Sequence, residues 1–307
     1  MAKIVCLVEA KDRNELENYV SKALGLLDLK LNKKVRTVVI KPNLCYYWSA
    51  ATGYTTDPRL VEATVNVLRE NYGQHLDIKI AEADASAMRT KHAFQMLGYT
   101  KLAEDKGIDL VNLSTDPIEE TKVTVNGLEL SYQIPKLLVE ADLFLNMPKL
   151  KVMSEVTITC ALKNLFGAMA YPRKLEYHPH LNEAIIGICT ILRPHLTIVD
   201  GLVALGRVPS RLNLIMAGED PFSIDWTAAQ IMGYNPSKIK FLRIAIKEGL
   251  LDPKSITVLG ENIEKFAKIF PRNNYLTSRI AYGLQLSLLK IYNRVISDSI
   301  SKAFEES

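Results

Sequence analysis

Apolar residues recur along this chain in two rhythms. Short runs rich in Val, Ile and Leu alternate with longer segments whose apolar positions return every three or four residues. Runs of the first kind suit strands buried on both faces, and segments of the second suit helices with one face in a core. The runs at 3–8, 37–40, 77–81, 108–113, 143–147, 196–199, 212–217 and 256–259 are the predicted strands. Helical spacing marks 13–27, 58–71, 221–232, 237–248 and the long segment 277–304. Within 122–132, Asn126-Gly127 separates two alternating runs, a strong hairpin signal, and this insert is expected at the sheet's edge. The alternation predicts an α/β fold: a mostly parallel sheet covered by helices on both faces, with a β-hairpin insert and a long C-terminal amphipathic helix. The expected organisation is one α/β domain over 1–260 and a helical extension over 261–307. That last helix is expected either to cap the sheet or to join two copies in a homodimer.

Composition narrows the function classes. A chain of 307 residues, 48% hydrophobic and 23% charged, has the make-up of a globular protein with a sizeable core. A net charge of +4, without a Lys/Arg block interleaved with aromatics, argues against nucleic acid as partner. The N-terminal residues enter a strand directly rather than an apolar leader, and no apolar run reaches the roughly 18 residues of a transmembrane segment. A cytoplasmic location is expected. The four cysteines, Cys6, Cys45, Cys160 and Cys189, are scattered and lack C-x-x-C spacing. They argue against a zinc knuckle, a disulfide framework, or an iron–sulfur cluster bound by this chain's own cysteines.

Candidate chemistry gathers where the predicted strands stop. The run 37–40 ends in Lys41-Pro42-Asn43, 77–81 in Glu82 and Asp84, 143–147 in Lys149 and Lys151, 196–199 in Asp200-Gly201, and 212–217 in Glu219-Asp220. Ligands of open parallel sheets bind outside the carboxyl ends of the strands, so five such ends predict one rim lined by lysines and carboxylates. Each residue has a plainer reading beside that one. Asp220 and Asp57 precede prolines and suit N-caps, and Asp200-Gly201 suits a turn. Lys163 and Asn164 close an apolar helix-like segment that ends at Gly167, where a cation complements the helix dipole. Asp225 lies among Phe222, Ile224, Trp226 and Ala228, where a carboxylate needs a partner such as one of the lysines. Arg173, Lys174, His178 and His180 sit in a loop expected to be a solvated lid or an anion clamp over the cleft.

In chain order, the sequences Lys41-Pro42-Asn43-Leu44, Thr55-Thr56-Asp57-Pro58, Asn146 through Lys151, Leu162 through Gly167, Thr197 through Gly201, and Gly218-Glu219-Asp220-Pro221 with Asp225 and Met232-Gly233 form a set. As a set they resemble the domain-of-unknown-function 362 family over about residues 36–240. The resemblance implies a family without a generally assigned reaction, many of whose members carry ferredoxin-like iron–sulfur segments. This chain departs from that pattern twice. It lacks the cluster cysteines, and Met153 stands where the family usually has a histidine.

The expected function is an enzyme acting on an anionic small molecule, carboxylated or phosphorylated. Lys163, Lys149 and Asp200 are the candidate catalytic residues, with Lys163 as acid or base, its ammonium destabilised by neighbouring cations and an apolar helix. Lys41, Asn43, Thr55, Thr56, Lys151, Asn164, Asp220 and Asp225 are the candidate substrate-binding residues. Asp84 and Asp200 are candidates for holding a divalent cation. Two other functions fit the same residues: an accessory protein docking a separate ferredoxin-like partner through Arg173 and Lys174, or a non-catalytic binding protein whose charged rim is a network of internal salt bridges.

Overall fold

The computed structural model describes residues 2–29 and 34–272. The segment 277–304, with its predicted helix and dimer contact, lies outside the described residues.

The first half of the chain alternates strands and helices, with α3 and α4 added to those the pattern predicts: β1 (Lys3–Glu9), α1 (Leu16–Leu26), β2 (Thr37–Pro42), α2 (Pro58–Tyr72), β3 (Asp77–Glu82), α3 (Thr90–Met96), α4 (Tyr99–Lys106) and β4 (Asp109–Asn112). The hairpin follows as β5 (Ile118–Val125) and β6 (Leu128–Pro135), then α5 (Lys136–Glu140), β7 (Leu143–Met147), β8 (Lys149–Met153), β9 (Thr157–Thr159), α6 (Ala161–Phe166) and α7 (Leu181–Ile191). The remainder comprises β10 (Leu196–Leu205), β11 (Pro209–Gly218), α8 (Pro221–Ile231), α9 (Lys240–Lys247), β12 (Ile256–Gly260) and α10 (Ile263–Ile269).

The main sheet runs β12-β1-β11-β10-β7-β2-β3-β4, with β8 added to β10 and β9 added to β8. Most pairings are parallel, and β11 is the exception along the main order, running antiparallel to both β1 and β10. Strand side chains alternate between two cores because their period is two. Val5, Leu7, Val39, Phe144, Val199 and Met216 face α6 to α10, while Cys6, Val8, Val38, Ile40, Leu145 and Ile198 face α1 to α4. Burying both faces explains why these strands read as continuous apolar runs. Each fully buried aliphatic side chain contributes about 1.5–3 kcal/mol.

Three expectations are corrected. The hairpin β5–β6 forms a separate two-stranded sheet packed on α7, rather than an edge of the main sheet, whose ends are β12 and β4. The stretch after Pro148, where no strand is predicted, forms the hairpin β8–β9. Finally, β11 points the opposite way from its neighbours, so its end at Gly218 pairs with Val5 and Thr197 near the beginnings of β1 and β10. Four of the five predicted strand ends therefore share a rim, and Asp220 stands at the other.

The chain passes from β2 outward to β3 and β4, then returns to the other side of β2 as β7. That reversal makes the β2/β7 boundary the switch point of the sheet, where an open α/β fold leaves a crevice. At Pro148 the strand leaves β2 and continues as β8, keeping β10 as neighbour and acquiring β9. Proline has no N–H to offer β2, while its carbonyl still accepts from Asp200 N at 2.8 Å.

Candidate functional site

A cavity of about 360 Å³ opens beyond that divergence, walled by the ends of β2 and β3, the β8–β9 hairpin, α6 and the loop after it. Its charged lining consists of Lys41, Lys151, Lys163 and Lys174 against Glu82 and Glu155, an excess of positive charge. Two non-glycine residues have left-handed backbone here: Tyr46 (φ 59°), in the loop after β2 that lines the cavity, and Thr157 (φ 75°), the first residue of β9. Such conformations cost about 1–3 kcal/mol each and persist where surrounding structure imposes them.

The lysines differ in how their hydrogens are occupied. A lysine ammonium has three N–H donors. Lys41, 1% exposed, uses all three: Glu82 Oε1 at 2.7 Å, Pro42 O at 3.0 Å and Asn164 Oδ1 at 3.2 Å. Glu82 in turn accepts from Ala83 N at 3.0 Å and Leu44 N at 3.1 Å. Lys149 and Asp200 are wholly buried and paired at 2.8 Å, outside the cavity lining. Asp200 also accepts from Asp57 N at 2.7 Å and Leu202 N at 2.9 Å, so it ties the start of α2 to the middle of β10. The rim charges of the sequence reading thus include two internal ion pairs.

Lys151 is different. It is 2% exposed, lines the cavity, and donates to two neutral oxygens, Asn43 Oδ1 at 2.7 Å and Tyr54 O at 2.8 Å. Among the described residues no carboxylate lies within ion-pairing distance of it. Burial holds its pKa below the usual lysine range, and the cations Lys163 and Lys149 add to that. Lys163 donates to Glu155, with Met153 Sδ at 3.7 Å. Its nearest charge is therefore an anion, not the neighbouring cations expected from sequence. Burial would raise the Glu155 carboxyl, but Lys163 outweighs it and holds the group below the usual carboxylate range.

Asparagines join these elements. Asn164 Oδ1 accepts from Lys41 and from Asn43 Nδ2 at 3.1 Å, and its Nδ2 donates to Asn146 Oδ1 at 2.8 Å. Asn146 Nδ2 reaches Ala161 O at 3.1 Å, so β2, β7 and α6 share one polar chain. Thr55 and Thr56 are buried and serve the backbone: Thr55 Oγ1 donates to Trp48 O at 2.7 Å, and Thr56 Oγ1 to Met147 O at 2.8 Å while accepting from Asn43 N. Asp225 lies behind α6, accepting from Ala161 N at 2.7 Å and Leu162 N at 3.3 Å. Burial pushes its pKa up to about 7 despite those two bonds. It serves the helix start rather than the cavity. Asp220 caps α8 through Ser223 N at 3.0 Å.

Neither metal candidate is placed for that role. Asp84 is taken by Thr90 N at 2.8 Å and Arg89 at 3.2 Å, and Asp200 by Lys149. Among the described residues no three of His, Cys, Asp and Glu come together as a metal-binding group.

Two cavity residues were read from sequence as parts of a lid. Lys174 is buried, and its Nζ donates to Asp84 O at 2.7 Å and Gly167 O at 2.8 Å. Burial lowers its pKa to about 7, against 10.5 for an ordinary lysine. It cannot present charge to a ferredoxin-like partner, so that docking loop loses half its basic pair. His178 has a buried Nδ1 without a hydrogen-bond partner among the described residues, and burial lowers its pKa as well. Glu155 had no sequence signal at all, because its role depends on the unforeseen β8–β9 turn.

Comparisons with known proteins bear out the family resemblance. The family described as "Domain of unknown function (DUF362)" matches residues 38–230. A thylakoid-associated protein of Synechocystis sp. is 26% identical over 227 residues, covering 69% of this chain and 68% of that protein. The lactate racemase apoprotein of Thermoanaerobacterium thermosaccharolyticum superposes with a TM-score of 0.37 at 15% identity. That match covers 71% of this chain and spans about half, 54%, of the racemase chain. Among the described residues no helix is long and apolar enough to cross a membrane.

Proposed function

The chain belongs to the DUF362 family, and from that premise we propose that it is an enzyme acting on a small carboxylated or phosphorylated anion in the cavity at the β2/β7 switch point. One observation carries this reading: Lys151 is a buried ammonium in the cavity wall with neutral partners only. An unpaired buried charge is costly, and an anionic ligand with a further hydrogen bond to it supplies the missing counter-charge. The excess of lysines over glutamates in the lining favours the same ligand class.

In this reading Lys151 binds the anion and Asn43 orients Lys151. Lys163, with Glu155 to take up or release charge, is the acid–base group. Neutral His178 is a second proton acceptor on the same wall. Lys41, Asn164, Lys149 and Asp200 hold the strand ends that set the cavity's shape. The α/β unit expected over 1–260 belongs to this proposal, since β12 closes the sheet against β1.

The test is a thermal-shift titration of wild type and Lys151→Met with inorganic phosphate, malonate, pyruvate and phosphoenolpyruvate. At least one of these should raise the melting temperature of wild type in proportion to the logarithm of its concentration, by about 2.7 kcal/mol of stabilisation at a hundredfold excess over Kd. Lys151→Met should show no rise. An equal rise in both proteins, or none in either, would remove the anion site.

A further inference from the structure

We infer that the anion held at Lys151 carries a hydrocarbon body, which lies along the apolar wall of the same cavity. The ligand class is then an amphiphilic carboxylate or phosphate rather than a small hydrophilic one. The inference deepens the anion-site reading above and rests on it.

The first support is the chemistry of the lining. Of its six Lys and Glu side chains, four neutralise each other as the pairs Lys41–Glu82 and Lys163–Glu155. Lys41 spends its three hydrogens inside the protein, and Glu82 also accepts from two backbone amides, so this pair has little to give a ligand. Much of the remaining wall is apolar: Leu44, Tyr46, Met88, Met153, Phe166 and Leu175. A pocket of that build, apolar with a few polar groups, suits a ligand whose own surface is mostly apolar.

The second support is strand geometry. Lys151 and Met153 belong to β8 and both line the cavity. Being two residues apart, they project from the same face of the strand, about 7 Å from one another along it. A head group on Lys151 therefore has the Met153 thioether within reach of a short alkyl chain. The charge beside Met153, Lys163 with Nζ 3.7 Å from its Sδ, is already neutralised by Glu155. Aromatic surface flanks the head as well: the Tyr54 ring lies 5.8 Å from Lys151 Nζ and is packed against Trp48, with 6.2 Å between ring centroids.

The third support is exposure and size. Tyr46 and Leu175 line the cavity and are 45% and 41% exposed. Large apolar side chains left open to water in a concavity mark a binding groove, and a hydrocarbon laid on them removes that area from solvent. The cavity of about 360 Å³ equals the liquid volume of about twelve waters, more than a three-carbon acid fills.

The test is a thermal-shift titration of the full chain with acetate, butanoate and hexanoate, and with hexanamide as the uncharged analogue. Each further buried methylene should lower the apparent Kd about fourfold, so hexanoate should bind on the order of two-hundredfold more tightly than acetate. Hexanamide should bind at least about tenfold more weakly than hexanoate, and Lys151→Met should erase that difference. Met153→Gln and the exposed-site variant Leu175→Ser should each reduce the gain per methylene. Equal affinity for acetate and hexanoate, with both lost in Lys151→Met, overturns the hydrocarbon body and leaves the anion site standing. A full gain per methylene in both Met153→Gln and Leu175→Ser puts the chain elsewhere and also overturns the inference. Hexanamide binding as tightly as hexanoate, or the absence of any Lys151-dependent shift, removes the anion site and the inference together.

Discussion

Four lysines of one cavity wall behave as different chemical objects because their neighbours differ. Lys41 has three acceptors for three hydrogens, one of them a carboxylate, so its removal would strand Glu82 among backbone amides. Lys41→Met should therefore cost about 3–5 kcal/mol in guanidinium denaturation. Lys151→Met should be neutral or stabilising by the same assay, because it deletes a buried charge that lacks a carboxylate. Comparable losses from both substitutions would mean that Lys151 is a structural cation. Sequence reasoning reached Lys41, Lys149 and Lys151 because an ammonium at the end of an apolar run demands an explanation. It assigned all three to one ligand, since the partners of Lys41 and Lys149 lie 41 and 51 residues away and only the folded sheet reveals them. Lys174 was legible as a cation but not as a buried one, because its burial comes from a loop whose course has no local signal.

The helix α6 shows how one element is held by another. Its N-cap position, Cys160, makes no side-chain capping bond, and the first amides, Ala161 N and Leu162 N, are satisfied by Asp225 from α8. Asp225→Ala should leave two buried donors unpaired and cost about 2 kcal/mol, read from the denaturation midpoint. Asp225→Asn keeps an acceptor for Ala161 N and should cost less. If the alanine variant is as stable as wild type, α6 has another source of order. The sequence showed that Asp225 needed a partner in an apolar helix, yet suggested a lysine rather than a helix start. The same limit hid β8 and β9. Residues 149–153 alternate Lys-Leu-Lys-Val-Met with Leu150 in the core, but lysines at buried positions disguise a strand.

Across the whole molecule, the alternation of strands and helices was legible, while the direction of β11 was not, since an apolar run reads the same in either sense. Global stability should carry the mark of two buried titratable groups. Asp225 is raised from 3.8 to about 7, so the folded state holds its proton longer than the unfolded state does. Its contribution is complete below about pH 4 and disappears as pH rises toward 7. Lys174 is lowered from 10.5 to about 7, so the unfolded state binds the proton more tightly. Its penalty is complete below about pH 7 and lifts toward pH 10. Stability differences of wild type from Asp225→Asn should thus fall over the acid range, and those from Lys174→Met should rise over the alkaline range. Flat differences in either case would show that the group titrates normally.

The proline between β7 and β8 has a consequence for binding kinetics. Because the strand separates from β2 at a residue that has no amide hydrogen to give, no hydrogen bond has to break for the crevice to exist. The entrance is part of the covalent pattern and is formed when the sheet forms. A ligand of the right charge meets a host already shaped for it, and its arrival rate should follow diffusion and electrostatic attraction rather than the opening of a gate.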